Sequence, residues 1–311
     1  MRSAAERSSP PLATGSKRPI SKTFPKDPDA ERSIEQLVRA GHRLIFAASF
    51  GYMDPVIKVA AKYPNVHFEH ATGYKRAPNV STYATRSYEG NYIQGVIAAK
   101  MSKTGVLGYV SSFPIPEVIS GLNSTMLGAQ TVNPNIRIKI IWVNTWFDPP
   151  READAAKALA DQGALMAYAD SPATLQIAAQ RGILAFGQSS DMINFGPKTQ
   201  LGSTIDNWVP YYTKRTQDEL DGTWTSQDIW GGLASQMVLM APYTNMPDDV
   251  KKRAMETEAG LKAGTLHPFT CPMLDQHGGS VECKDGNHLS DAQIRSMNFY
   301  VKGIDDKLPA K

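Results

Sequence analysis

At 311 residues, with 41% hydrophobic and 20% charged residues, the chain has the make-up of a globular protein long enough for two compact domains. Its net charge is only +3, from 33 basic and 30 acidic residues scattered without a basic stripe, which argues against a nucleic-acid partner. No apolar run approaches the ~18 residues that a membrane-spanning helix needs, so no span is expected.

Residues 1–26 are rich in Ser, Pro, Lys and Arg and carry no apolar run. That composition predicts disorder, and it lacks the apolar stretch of ~7–15 residues that marks a secretion signal. A helix is predicted over 30–40, ended by Gly41, followed by an apolar strand over 44–49. A second helix begins at Asp54 with Pro55 in its first turn. Then come a strand over 66–70, a helix over 89–101, a strand over 106–110 and a helix over 116–130. The alternation continues with a strand over 136–142, a helix over 151–162, a strand over 164–168, a helix over 174–180 and a strand over 183–186. A strand over 200–205 and a helix over 208–220 follow, and a helix over 246–263 and a strand over 297–301 complete the pattern.

Strands separated by helices at this rhythm predict an α/β protein with parallel, doubly wound sheets. The strands are continuously apolar, as strands covered on both faces are. Two lobes are expected, 27–143 and 144–311, with the first crossover inside 128–144 and later segments returning.

Ligands of such folds sit beyond the carboxyl ends of the strands, and that rule selects the candidate binding residues. Phe50 and Gly51 follow the strand over 44–49; Phe50 offers a stacking face, or the pair is an ordinary turn. Ser111, Ser112 and Phe113 follow the strand over 106–110, in a loop also shaped by Pro114 and Pro116. Trp146 and Asp148 follow the strand over 136–142, where Asp148 caps a helix or meets ligand. Asp170 and Ser171 precede Pro172 under the same two readings, and Asp191 closes the segment Gly187-Gln188-Ser189-Ser190-Asp191. Asn207 and Trp208 follow the strand over 200–205, with Asp206 and Asn207 both suited to cap the next helix. His67 and His70 lie on a strand and are read as structural.

Cys271 and Cys283 flank the turn-like Asp275-Gln276-His277-Gly278-Gly279. They close a hairpin disulfide in an oxidising compartment or, with His277 or His288, hold zinc at a spacing that matches no common pattern.

The segment Glu89-Gly90-Asn91-Tyr92-Ile93-Gln94-Gly95-Val96-Ile97-Ala98-Ala99-Lys100 resembles the EG-x-Y-x-x-G-x-x-A-x-K stretch of the basic membrane protein (PnrA-like) family. Those proteins are substrate-binding components of ABC importers that capture purines and nucleosides. The resemblance runs from about Asp27 to Gly303. It implies a type I periplasmic-binding-protein fold, a purine or nucleoside held in the cleft between lobes, and an ABC permease as partner. It further implies no cofactor or metal, a monomer, and a periplasmic or membrane-associated location. Phe50, Gly51, Phe113, Trp146, Asp170, Ser171, Asp191, Asn207 and Trp208 are the ligand-binding set on this reading.

Two departures qualify it. The family's opening strand, helix and strand have no counterpart before Asp27, so residues 44–48 are expected to form an exposed apolar edge prone to aggregation. Either the start of the reading frame is misplaced or the chain is a shortened paralogue. And where nucleoside-binding relatives read GVDSD, this chain reads Gly187-Gln188-Ser189-Ser190-Asp191. The lost carboxylate is one that would hold ribose hydroxyls, which favours a free base such as adenine over a riboside. Other classes remain open: a nucleoside- or sugar-processing α/β enzyme, a ligand-sensing domain, or a truncated product that binds nothing. No G-x-S-x-G elbow, P-loop or H-E-x-x-H motif supports the enzyme.

Overall fold

A computed structural model of the protein describes residues 27–160, 164–168, 171–284 and 286–309. The disorder expected for 1–26 lies outside the described residues. The chain divides into two compact units: one takes its described residues from 27–86 and 207–237, the other from 87–206 and 238–309. The chain therefore passes between units at 86, 206 and 237 rather than near 143. Position 143 falls inside the second unit because one strand, Val106–Ser111 (β4), pairs with partners on both sides of it.

In the first unit, strands β1 (Leu44–Ala47), β2 (His67–Ala71), β3 (Val80–Thr85) and β9 (Asp228–Gly231) form a parallel sheet in the order β1-β2-β3-β9. Successive strand residues point to opposite faces. Ile45, Ala47, Phe68 and Val80 accordingly pack with Ile34, Val56 and Val59 from helices Asp27–Arg39 and Met53–Lys62. Phe46, Tyr83 and Ile229 join a second cluster with Tyr211 and Tyr212 of helix Val209–Leu220. β1 is an end strand of this sheet among the described residues, with Ile45 and Ala47 buried and Leu44 and Phe46 half-buried.

The sequence pattern misses β3. Its Ser81 and Thr82 read as loop residues, but partners from far along the chain satisfy them. Ser81 Oγ accepts from Arg215 Nη2 (3.0 Å) and Gln227 N (3.0 Å), and Thr82 Oγ1 donates to Asp228 Oδ1 (2.9 Å).

The second unit holds six strands in the order β10-β8-β7-β6-β4-β5. β5 is Arg137–Trp142, β6 Ala164–Tyr168, β7 Ala185–Gly187, β8 Gln200–Asp206 and β10 Val238–Met240. All pairings are parallel except β10 against β8. Val110 packs with Ala155, Leu159 and Ile177 of helices Pro149–Ala160 and Ala173–Arg181.

Helices Ser87–Met101 and Pro116–Gln130 touch backbone to backbone. A Cβ on Gly95 would lie 2.0 Å from the Thr125 carbonyl oxygen, and one on Gly128 would lie 2.2 Å from that of Tyr92. Only residues without a side chain permit that approach.

The strand expected over 297–301 is absent; Val301 makes a single bridge to Asp275. Asn123 takes the place of a neighbouring strand, accepting from Val301 N (3.0 Å) and donating to Phe299 O (2.8 Å). Cys271 and Cys283 are bonded to each other and tie the hairpin of β11 (Met273–Leu274) and β12 (Ser280–Val281). Among the described residues no group of three or more His, Cys, Asp or Glu is placed to hold a metal ion.

Candidate functional site

In the first unit, the loop after β1 makes a single 3-10 turn, Phe50–Tyr52, with Phe50 half-buried and Gly51 exposed. A Cβ added to Gly51 meets nothing within 4 Å, so open space lies over it. His70, at the end of β2, braces this turn through Nε2 to the Ser49 carbonyl (2.9 Å). Its Nδ1 is enclosed without a partner among the described residues. Burial pushes the imidazole pKa down, and the bond to Ser49 offsets only part of that.

Asn207 and Trp208 follow β8 at the start of the returning segment. Asn207 spends its amide on the Gln236 carbonyl (2.9 Å) and its N–H on Met237 O (2.8 Å). Neither it nor Asp206 caps the following helix; the N-cap is Trp208, with no side-chain cap bond. Trp208 stands edge-on to Tyr83 (ring centroids 5.1 Å, 80°) and near-parallel to Tyr212 (6.3 Å, 16°). His67 is structural, stacked on Trp224 at 3.9 Å and paired with Glu219.

In the second unit, the loops after β4 and β5 bring Phe113 and Trp146 together, ring centroids 5.2 Å apart and tilted by 57°. Beside Phe113 in the chain, the Ser111 and Ser112 hydroxyls are buried and have no hydrogen-bond partner among the described residues. Unmade hydrogen bonds in a buried place are costly, so such groups are ones a bound molecule can satisfy.

Other predicted residues are committed elsewhere. Ser171 bonds Glu152 through both its hydroxyl and its N–H, and its Oγ accepts from Ala173 N (3.3 Å) at the start of a helix. Asp148 caps the helix Pro149–Ala160, accepting from Arg151 N (3.1 Å) while Glu152 accepts from Asp148 N (2.9 Å). Asp191 is exposed, and its Oδ1 accepts from Gln200 Nε2 (2.9 Å) and Ile193 N (3.1 Å). Asp170 lies outside the described residues.

A polar cluster that the sequence reading does not single out sits at the carboxyl end of β7. Asn91, Gln94, Gln188 and Thr204 are all buried there. The available signal is two amides three residues apart in a helix, Ser87–Met101, that is buried nearly all round. Next to Gln188, Ser189 holds φ at +61°, the left-handed region that a serine seldom occupies.

Comparison with known proteins gives concordant results. The profile of the family described as "ABC transporter substrate-binding protein PnrA-like" matches residues 11–263, taking in residues ahead of Asp27, where the motif-level resemblance starts. The chain is 60% identical over 283 residues to a purine-binding protein of Brucella abortus, covering 90% of this chain and 81% of that one. It is 33% identical over 285 residues to a putative ABC transporter glucose-binding protein of Haloferax volcanii, covering 91% and 70%. Among solved structures, an ABC transporter solute-binding protein from Aeropyrum pernix K1 superposes with a TM-score of 0.67 at 18% identity, covering 79% and 82% of the two chains. That likeness speaks for the fold, a type I periplasmic-binding-protein fold.

Proposed function

Because this chain belongs to the PnrA-like family of ABC transporter substrate-binding proteins, we propose that it captures a purine base and hands it to a membrane permease. The observation that carries this reading is the 60% identity, over 90% of the chain, to a relative named for purine binding. The geometry of the second unit is in keeping with it. The tilted Phe113–Trp146 pair supplies aromatic faces for a flat heterocycle, and the unpartnered Ser111 and Ser112 hydroxyls supply hydrogen bonds. The family and the relative are binding proteins, so the role is capture rather than turnover. Action in the periplasm, or at the membrane surface, follows from the family's part in import.

Within the purines, a free base such as adenine is favoured over its riboside. Ser189 stands where nucleoside-binding relatives carry a carboxylate for ribose, and Asp191 is turned to Gln200 and its own loop. The Haloferax relative keeps a second reading in view, a sugar ligand. Thermal melts with excess adenine, adenosine, guanine, ribose and glucose separate these. A ligand at 100 times its Kd adds about 2.7 kcal/mol to stability and raises the melting temperature. Adenine is expected to raise it most. A shift with glucose or ribose and none with any purine would replace this reading by the sugar one.

A further inference from the structure

Four side chains of the second unit are joined in a sequence that fixes which way each amide faces. Gln94 Nε2 donates to the Gly187 carbonyl (3.1 Å), and a carbonyl can only accept. Gln94 Oε1 therefore faces Asn91, whose Nδ2 donates to it (3.3 Å). The same Nδ2 reaches Gln188 Oε1 (3.4 Å), and Thr204 Oγ1 donates to that oxygen as well (2.8 Å). Turning Gln188 over would set its amino group against the amino group of Asn91. Asn91, Gln94 and Gln188 are 0%, 1% and 2% exposed, so no water is at hand to relieve that clash. The orientation of Gln188 is thus inherited, through two other amides, from a backbone carbonyl.

One end of Gln188 remains. Its Nε2 makes no hydrogen bond among the described residues, and it is not among the enclosed, unpartnered atoms. It sits just beyond the carboxyl end of β7, on the edge of the sheet where ligands of such folds bind. The backbone that carries it is pinned: Ser190 N donates to Gln188 O (2.8 Å), Ser189 O accepts from Asp206 N (3.1 Å), and Ser190 O accepts from Ser203 Oγ. The left-handed Ser189 belongs to this loop, and strained backbone of that kind persists where function holds it.

We propose that Gln188 reads the polarity of the ligand, offering donors only, so that the purine atom facing it is an acceptor, a ring nitrogen or an exocyclic oxygen, and never an amino group. This rests on the purine-binding reading above. Asn91, Gln94 and Thr204 are positioning residues that hold the amide in this sense.

The test is calorimetric titration of the full chain with adenine, hypoxanthine and the 1-, 3- and 7-deaza adenines, in which C–H replaces one ring nitrogen. Wild type, Gln188→Met and Gln188→Glu are compared, and the melting of each variant without ligand reports its folding. In wild type, one deaza analogue binds about tenfold more weakly than adenine, or hypoxanthine binds about tenfold more tightly. Gln188→Met removes that difference along with the affinity. Gln188→Glu keeps the inner oxygen but faces the ligand with a carboxylate. Its binding is weak at neutral pH and recovers as the acid is protonated, a profile that a packing role would not produce. Should the Met variant fail to fold, the pH profile of the Glu variant decides. If wild type binds adenine while both variants match it at every pH, or no analogue differs in wild type, this inference falls and the purine reading stands. If wild type binds no purine, both fall.

Discussion

Arg215 Nε lies 2.7 Å from Glu69 Oε1 in the first unit, with the two side chains 1% and 0% exposed. The remaining polar atoms are also occupied. Glu69 accepts from Trp224 Nε1 (2.7 Å) and Tyr211 OH (2.5 Å), and Arg215 donates to Ser81, Thr225 and Asp218. Burial, with the Glu69 carboxylate beside it, holds the Tyr211 phenol far above its ordinary range. A buried pair of this kind stabilises little relative to an apolar pair, but removing one member strands the other charge. Arg215→Met is expected to cost about 3–5 kcal/mol in urea denaturation. A loss under about 1 kcal/mol would mean that water reaches Glu69.

The two helix glycines and Gly51 should behave in opposite ways. Gly95→Ala drives a methyl group into the Thr125 carbonyl, where backbone must move, and is expected to destabilise by about 1–3 kcal/mol. Gly51→Ala meets nothing and should hold or raise the melting temperature, by up to about 1 kcal/mol in stability. If the open space over Gly51 receives ligand, that variant is more stable yet binds adenine more weakly. Unchanged affinity would remove Gly51 from the binding set.

Phe113→Ala and Trp146→Ala are expected to weaken purine binding by roughly 5- to 150-fold each, from ~1–3 kcal/mol of stacking. Both rings are half-buried, so melting without ligand should change little by comparison. Calorimetry that finds neither affinity altered would show that the base stacks elsewhere.

His70 predicts an acid-side loss of stability. Its folded pKa lies below the ordinary imidazole value of 6.5, chiefly through burial, so the unfolded chain binds the extra proton first. The contribution is fully present above 6.5 and declines as the pH falls below it. Urea midpoints for wild type should drop between about pH 7.5 and 5.5, and His70→Gln should flatten that drop. Parallel curves for the two proteins would assign the acid sensitivity to other groups.

Much of the architecture is legible locally. The helix Pro116–Gln130 is bounded by a proline at its start and a Thr-Val-Asn turn at its end, and the strand Ala164–Tyr168 is an unbroken apolar run. What escapes local reading depends on partners far along the chain. β3 needs Arg215 and Asp228, and the 297–301 segment needs Asn123. The same holds at the site. A hydroxyl or an aromatic ring after a strand can be picked out from sequence, whereas the fixed amide of Gln188 depends on Asn91, 97 positions earlier.

The split make-up of the first unit has a consequence for synthesis. Glu69 leaves the ribosome 146 residues before Arg215 and 155 before Trp224. At ~5–20 residues per second, the carboxylate waits on the order of ten seconds for its cation. Over that interval β3 has no β9 beside it, while the glycine-faced helices Ser87–Met101 and Pro116–Gln130, only a short loop and strand apart, already have each other. The segment that emerges first therefore waits for partners more than a hundred residues downstream, and its nascent sheet depends on whatever shields it in the meantime.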